Sequence, residues 1–278
     1  MPPRWDAPRG ILTRRQDMRR QNADRFPPIR FMASINVLTV NVHMGFNLLN
    51  RRFVLPDLRE AIREVSADMV FLQEVLGEHA RHARRHPDWP QATQYEFLAD
   101  TLWTQFAYGR NAVYPHGHHG NALLSKFPIG FHRNCDVSVD GHEQRGLLHS
   151  VVRIPGYEAE IHTVCVHLGL RESHRRRQIG LLCSMVNEEI PADAPLVVAG
   201  DFNDWRVRGH PLLRRCGLVE AFEQTRGRVA RTFPSRWPTL PVDRIYVRNA
   251  RVDEARVLSG RPWSHLSDHV PLLARIEL

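Results

Sequence analysis

Asp201 and Asn203 stand two residues apart, directly after the apolar run at residues 196–199. Such a run reads as a buried strand, and Gly200-Asp201-Phe202-Asn203 is where it surfaces. Side chains alternate along a strand, so the carboxylate and the amide are expected on one side. Together they suit a site that handles a metal-bound phosphate. Gly-Asp-x-Asn is also ordinary turn chemistry, so the motif gains meaning only from its company.

That company is present. Asn41 and His43 lie two apart at the end of an apolar run, and Gln73-Glu74 directly follow another at 69–72. Asn121 opens a strand-like segment after Gly120, His167 ends one, and Asp243 begins one. Ser267-Asp268-His269 precede the last apolar run, whose start Pro271 limits. Carboxylates, amides and imidazoles emerging from strand ends are the side chains that phosphate chemistry uses.

The elements that must position them follow from periodicity. Strands are expected at 31–42, 69–72, 121–124, 149–153, 160–166, 196–199, 244–247 and 270–276. Helices are expected at 56–65, near 95–103 and at 172–189. Residues 76–120 otherwise read as long loops rich in His, Pro and aromatics. Strands outnumber helices and alternate with them irregularly, which favours a layered α/β sandwich over a strict βαβ repeat. One domain over residues 31–278 is expected, behind a tail at 1–30.

The ordered set Asn41-x-His43, Gln73-Glu74, Gly120-Asn121, His167-Leu168, Gly200-Asp201-x-Asn203, Asp243 and Ser267-Asp268-His269 resembles the endonuclease/exonuclease/phosphatase (DNase I-like) superfamily. The resemblance spans residues 35–278. It is nearest to a bacterial branch carrying the runs NRRF, FAYGRNAVYP, GHHGNA, CVHLGLRE, AGDFNDW and LSDH. It implies a four-layer α-β-β-α sandwich of two mixed sheets, with the site at one end of the sheets. It implies Mg²⁺ or Mn²⁺ as cofactor, with Glu74 as principal ligand and Asn41 and Asp268 in support. His269 paired with Asp243 resembles an acid/base dyad, and Asp201 shares the nucleophile side without a choice between them. Asn203 and His167 would hold phosphate oxygens. Asn121, Arg145 and His43 are expected to meet substrate, Arg145 as a bidentate clamp or else in a structural ion pair.

Two positions depart from the nuclease pattern. Many members carry a carboxylate where this chain has His43, which weakens the inference of a second metal. His167 stands where abasic-site enzymes usually have Tyr. Arg175 and Gln178, one helical turn apart, are expected to brace the site's wall. Trp205 is expected to pack. His116, His118 and His119 are expected on a mobile substrate-side loop, not in a transition-metal site.

Bulk composition narrows the class further. No run approaches the ~18 apolar residues of a membrane span, and no apolar signal-like core opens the chain, so a cytoplasmic protein is expected. Four scattered cysteines are no disulfide scaffold, and buried free thiols are expected at Cys165 and Cys183. The net charge is +8, and residues 1–30 hold eight Arg against three Asp. Such a basic tail is expected to be a flexible, solvated extension that could also hold nucleic acid, or an anionic membrane surface or phospholipid, and no obligate protein partner is implied. The expected function is metal-dependent phosphodiester hydrolysis with nucleic acid as substrate. The alternatives are a phospholipid-headgroup or inositol-phosphate hydrolase and, from another class, a catalytically dead binding module. That last would lack some of Glu74, Asp201, Asn203, Asp243 and His269, and all are present.

Overall fold

The structure is a computed structural model that describes residues 33–48, 52–141 and 143–278. The basic tail expected at 1–30 lies outside the described residues.

Six strands form one sheet. They are β1 (Ser34–Asn41), β2 (Met69–His79), β3 (Gln105–Tyr114), β4 (Gly117–Ser125), β11 (Arg251–Val257) and β12 (Leu272–Glu277), in the order β11-β12-β1-β2-β4-β3. The second sheet holds β5 (Ile129–Asp136), β6 (Gly146–Val152), β7 (Ile161–His167), β8 (Leu196–Asp201), β9 (Val219–Glu220) and β10 (Asp243–Arg248), in the order β5-β6-β7-β8-β10-β9. Each sheet is mixed: β1 runs parallel to β2 and β7 parallel to β8, and the other pairs are antiparallel.

The sheets meet face to face. Ile35, Phe71 and Leu123 of the first pack with Leu148, Cys165, Val197 and Ile245 of the second. Helix α1 (Leu55–Val65) and the short α2 (Ala80–Arg85) and α3 (Gln94–Ala99) belong to the first half of the chain. Leu58 and Ile62 of α1 and Leu98 of α3 cover the outer face of the first sheet at Leu38, Val70 and Leu124. Helix α4 (Glu172–Glu188) covers the second sheet, with Ile179, Leu182 and Val186 on Val164, Val166 and Val198. The short helices α5 (His210–Arg215) and α6 (Ala221–Arg226) lie between β8 and β10 in the chain. This is the four-layer α-β-β-α sandwich expected. Strands β6, β7 and β8 are buried at every position; β8 carries an unbroken apolar run, while β6 and β7 bury His149, Ser150, His162 and Thr163 among apolar residues.

Local signals set the helix ends. Pro56 sits in the first turn of α1, where a missing N–H costs nothing, and Ser66 closes the helix in the left-handed region. Thr93 and Glu96 cap α3 reciprocally.

The structure corrects several expectations. Residues 76–120 are not mainly loop: β2 runs on to His79, and β3 and β4 form a long antiparallel pair. His118 and His119 therefore lie on β4, not on a loop, and adjacent strand residues face opposite ways. Strands β5 and β11 are further departures from the expected pattern. Cys183 is not a free thiol: α4 and α5 bring it to Cys216, the Cα atoms 5.7 Å apart, and the two form a disulfide. Cys165 is free and buried, as expected.

His149 on β6 and His162 on β7 stack at 5.2 Å, with Nε2 and Nδ1 3.0 Å apart. Burial, then the neighbouring His162, pushes His149 down to about 4. Between its usual ~6.5 and that value the unfolded chain binds the extra proton, so stability falls as pH falls. Urea unfolding is expected to lose about 1–2 kcal/mol from this group between pH 7 and pH 4.5, discounted for solvent screening. His149→Gln should flatten that slope; an unchanged slope would show that the pair does not titrate this way.

Candidate active site

Register brings the site together. His167 and Asp243 each pair with Asp201 across neighbouring strands, so the ends of β7 and β8 and the start of β10 coincide. In the first sheet Asn41 pairs with Gln73, and β12 runs antiparallel to β1, so the segment before β12 arrives at Asn41. Ser267 Oγ donates to the Asn41 carbonyl at 2.6 Å, fixing that arrival.

Three local devices aim the side chains. On β2, Leu72 pairs with Ala122 and Val75 with Gly120, so Gln73 and Glu74 together oppose Asn121 alone. This is a β-bulge. Glu74 takes φ +56°, which turns its carboxylate out while Gln73 stays buried on Thr39 and Cys165. The second device replaces the alternation expected at Asn203. Strand β8 stops at Asp201, whose Oδ1 accepts from Asn203 N–H at 2.8 Å, an Asx-turn that holds Asn203 at φ +50°. Third, Gly200 has φ +143°, and a Cβ there would stand 2.0 Å from the Val166 carbonyl oxygen. Only glycine lets β8 lie that close to β7.

The assembled side chains line a pocket of about 400 Å³. Glu74, Arg145, His167, Asp201, Asn203, Asp268 and His269 supply the polar part. His269 Nδ1 lies 2.8 Å from Asp243 Oδ2, and its Nε2 lies 3.9 Å from Asp201 and 4.0 Å from Asp268. His167 Nε2 lies 3.6 Å from Asp201 and 3.9 Å from Glu74. Asn203 Nδ2 donates to the Leu168 carbonyl at 2.9 Å.

Protonation follows from this crowding. Burial pulls the His269 imidazole down, but Asp243, Asp201 and Asp268 outweigh it and hold it at about 10. Burial pushes Asp201 up against the pull of His269, with Asp243 and Glu74 adding repulsion. Burial raises Glu74 too, yet the imidazoles of His43, His167 and His269 bring it well below the usual carboxylate range. Burial, then Arg145, takes His167 down to about 3, so it is neutral at pH 7.

Three expected roles change. Asn41 donates its amide to Glu74 at 3.4 Å and Asp201 at 3.2 Å, while its carbonyl oxygen accepts from His43 N–H. It bridges carboxylates, and its candidate ligand oxygen is already engaged. His43 does not face the pocket as a substrate contact; its Nδ1 lies 3.6 Å from Glu74 and 3.4 Å from Asp268, bracing both. Asn121 is fully buried and donates to the carbonyls of Gly146 and Cys165, so it ties the sheets together instead of meeting substrate. Arg145 does line the pocket, its Nε buried without a partner, and it makes no ion pair among the described residues.

Arg175 and Gln178 brace the wall as expected. Arg175 donates to the carbonyls of Gly169 and Leu170, and Gln178 accepts from Gly169 N–H and donates to Val137. Trp205 packs one face on Arg175, 4.6 Å from the guanidinium, and also lines the pocket. Residue patterning does not single out Phe233, Leu240 and Val242, which form an apolar wall, with the Phe233 ring 5.1 Å from His269. Nor does it separate His119, within electrostatic reach of Glu74 and Arg145, from its neighbour His118.

Four carboxylates gather where one guanidinium lines the wall, so a phosphate anion needs a further cation here. The donors facing the pocket from Glu74 and Asp268 are carboxylate oxygens, which fit a hard divalent ion. A second set, Asp201, Asp243 and His269, also lies close enough to share an ion. Its 2.8 Å His–Asp contact is a hydrogen bond, which favours a proton-holding pair over a ligand pair.

Fold and strand-end site define a DNase I-like protein, and comparison with known proteins agrees. Residues 38–269 match the Endonuclease/Exonuclease/phosphatase family, and the chain belongs to it. It is 55% identical over 246 residues to "Uncharacterized protein YbhP" of Escherichia coli K12, covering 88% of this chain and 97% of that one. A Bacteroides vulgatus endonuclease/exonuclease/phosphatase shares the fold, with TM-score 0.70, 18% identity, and coverage of 88% and 99%. D. rerio TDP2, solved with a single-strand DNA product, shares it with TM-score 0.66, 17% identity, and coverage of 88% and 100%. Among the described residues no helix is long and apolar enough to cross a membrane.

In metal-free protein, NMR titration should place His269 near pH 10. Its raised value contributes stability that is full below ~6.5 and is lost as pH rises through about 10. Asp243→Asn should lower the titration by about two pH units or more, since it removes both a charge and a hydrogen bond. An unmoved midpoint would remove Asp243 as the cause.

Proposed function

We propose that this protein is a Mg²⁺- or Mn²⁺-dependent phosphodiesterase whose favoured substrate is nucleic acid. The observation that carries the reading is the concentration of Asp201, Asp243 and Asp268 around the His269 imidazole, with Glu74 and Arg145 lining the same pocket. Glu74 and Asp268 would hold the ion, with Asn41 bridging Glu74 to Asp201. When bound, a divalent ion polarises the phosphoryl oxygens and neutralises charge as the bond breaks.

The protein groups divide the remaining work. Asp201, whose carboxyl is raised by burial, accepts a proton from the attacking water. His269, kept protonated by Asp243, donates to a phosphoryl oxygen as negative charge develops. His167, Asn203 and Arg145 hold the non-bridging oxygens; donors fixed in advance usually supply most of the stabilisation that phosphate chemistry needs. A second reading is phospholipid-headgroup hydrolysis, favoured by Leu170, 55% exposed at the pocket mouth.

Purified protein should cleave plasmid and oligonucleotide DNA with Mg²⁺ or Mn²⁺, lose activity in EDTA and regain it on metal addition. Glu74→Ala and His269→Ala should each lower turnover by about 10²–10⁴-fold while keeping a cooperative thermal transition. Headgroup release from anionic vesicles without DNA cleavage would move the substrate to lipid. No metal-stimulated hydrolysis of either would leave the binding-module reading.

A further inference from the structure

A second groove, of about 640 Å³, is linked to the catalytic pocket by one hairpin. Phe233 and Leu240 close a hairpin through an antiparallel bridge and line the catalytic pocket. Arg236 and Trp237, at the tip of that hairpin, line the groove. Ser235 N–H donates to the Asp268 carbonyl and its hydroxyl to the Ser267 carbonyl, both at 2.7 Å. The hairpin is therefore tied to the segment that carries His269.

Trp237 is 74% exposed, the most among the large apolar side chains described. An indole left in water contributes little to the core, so its place on the groove calls for another account. Arg236 and Arg261, both exposed, stand beside it and make no ion pair among the described residues. Across the groove α1 presents Glu64, and Glu60 in an ion pair with Arg59 at 2.9 Å.

These features match one class of ligand. An indole face stacks any nucleobase, and guanidinium groups take phosphates on either side of it. Carboxylates opposite accept hydrogen bonds from exocyclic amino groups of bases. An anionic membrane plane would press its charge against Glu60 and Glu64. A duplex would hide the base faces that Trp237 stacks. Trp237 is three residues from Leu240, on the order of 10 Å at strand rise, so the stacked base is a near neighbour of the scissile phosphate.

We propose that the groove is a subsite for unpaired nucleic-acid strand, stacking a base on Trp237 and holding phosphates with Arg236 and Arg261. The proposal rests on the nucleic-acid reading above and deepens it. The test compares a single-stranded oligodeoxynucleotide, its duplex and bis(p-nitrophenyl) phosphate, a diester too small to reach the groove. Trp237→Ala should raise KM for the single strand about tenfold, leaving kcat/KM for the small diester unchanged, and Trp237→Phe should restore most of the loss. Arg236→Gln with Arg261→Gln should reduce the salt dependence of single-strand binding by a slope of about 1–2. A parent protein that cleaves only the small diester, or nothing, overturns the nucleic-acid reading and the subsite with it. Single-strand cleavage with an unchanged KM in Trp237→Ala overturns the subsite alone. Loss of anionic-vesicle binding in that variant, with single-strand KM unchanged, assigns the surface to membrane and also overturns it.

Discussion

Four carboxylates held at one end of two sheets are the constraint on which the rest of the structure depends. Glu74, Asp201, Asp243 and Asp268 repel one another, and burial makes each charge more costly. The fold answers with imidazoles and an amide. His269 pairs with Asp243, His43 lies between Glu74 and Asp268, and Asn41 bridges Glu74 and Asp201. Each compensating group comes from a different strand end from the carboxylate it serves, so neither sheet holds the site alone. That interdependence is why the strand register at Asn41, His167 and Asp201 matters more than any single contact.

Holding these groups requires strained backbone. His43, Glu74 and Asn203 all have positive φ, at 45°, 56° and 50°. Each left-handed non-glycine residue costs on the order of 1–3 kcal/mol and persists only where its surroundings over-determine it. Here the surroundings are the bulge opposite Asn121, the Asx-turn at Asp201 and the apolar core between the sheets. Asn121 belongs to this support: by tying β4 to Gly146 and Cys165 it anchors the strand against which Glu74 bulges.

The fold itself is shared with proteins below 20% identity, so it identifies a scaffold and not a substrate. Substrate preference lies in what surrounds the carboxylates. The wall of Phe233, Leu240 and Val242, the Trp205–Arg175 stack and the hairpin carrying Trp237 are built from segments outside the strands.

Strand-end chemistry was legible in the sequence because it is local. Apolar runs report burial, and a polar residue at the end of such a run reports where it surfaces, which is how Glu74, His167, Asp201, Asp243 and His269 could be read. Strands β3, β5 and β11 were not legible, because edge strands carry polar and exposed residues that blur the alternation. Nor were the bracing role of His43, the inward turn of Asn121 or the Cys183–Cys216 disulfide. Asn41 meets Asp201 across 160 residues of sequence, and Ser267 meets Asn41 across 226. By itself the sequence determined which residues stand at strand ends and what chemistry they carry. Only the tertiary structure decided which of them touch, and therefore which are protonated, because burial and mutual distance arise when the two sheets pack.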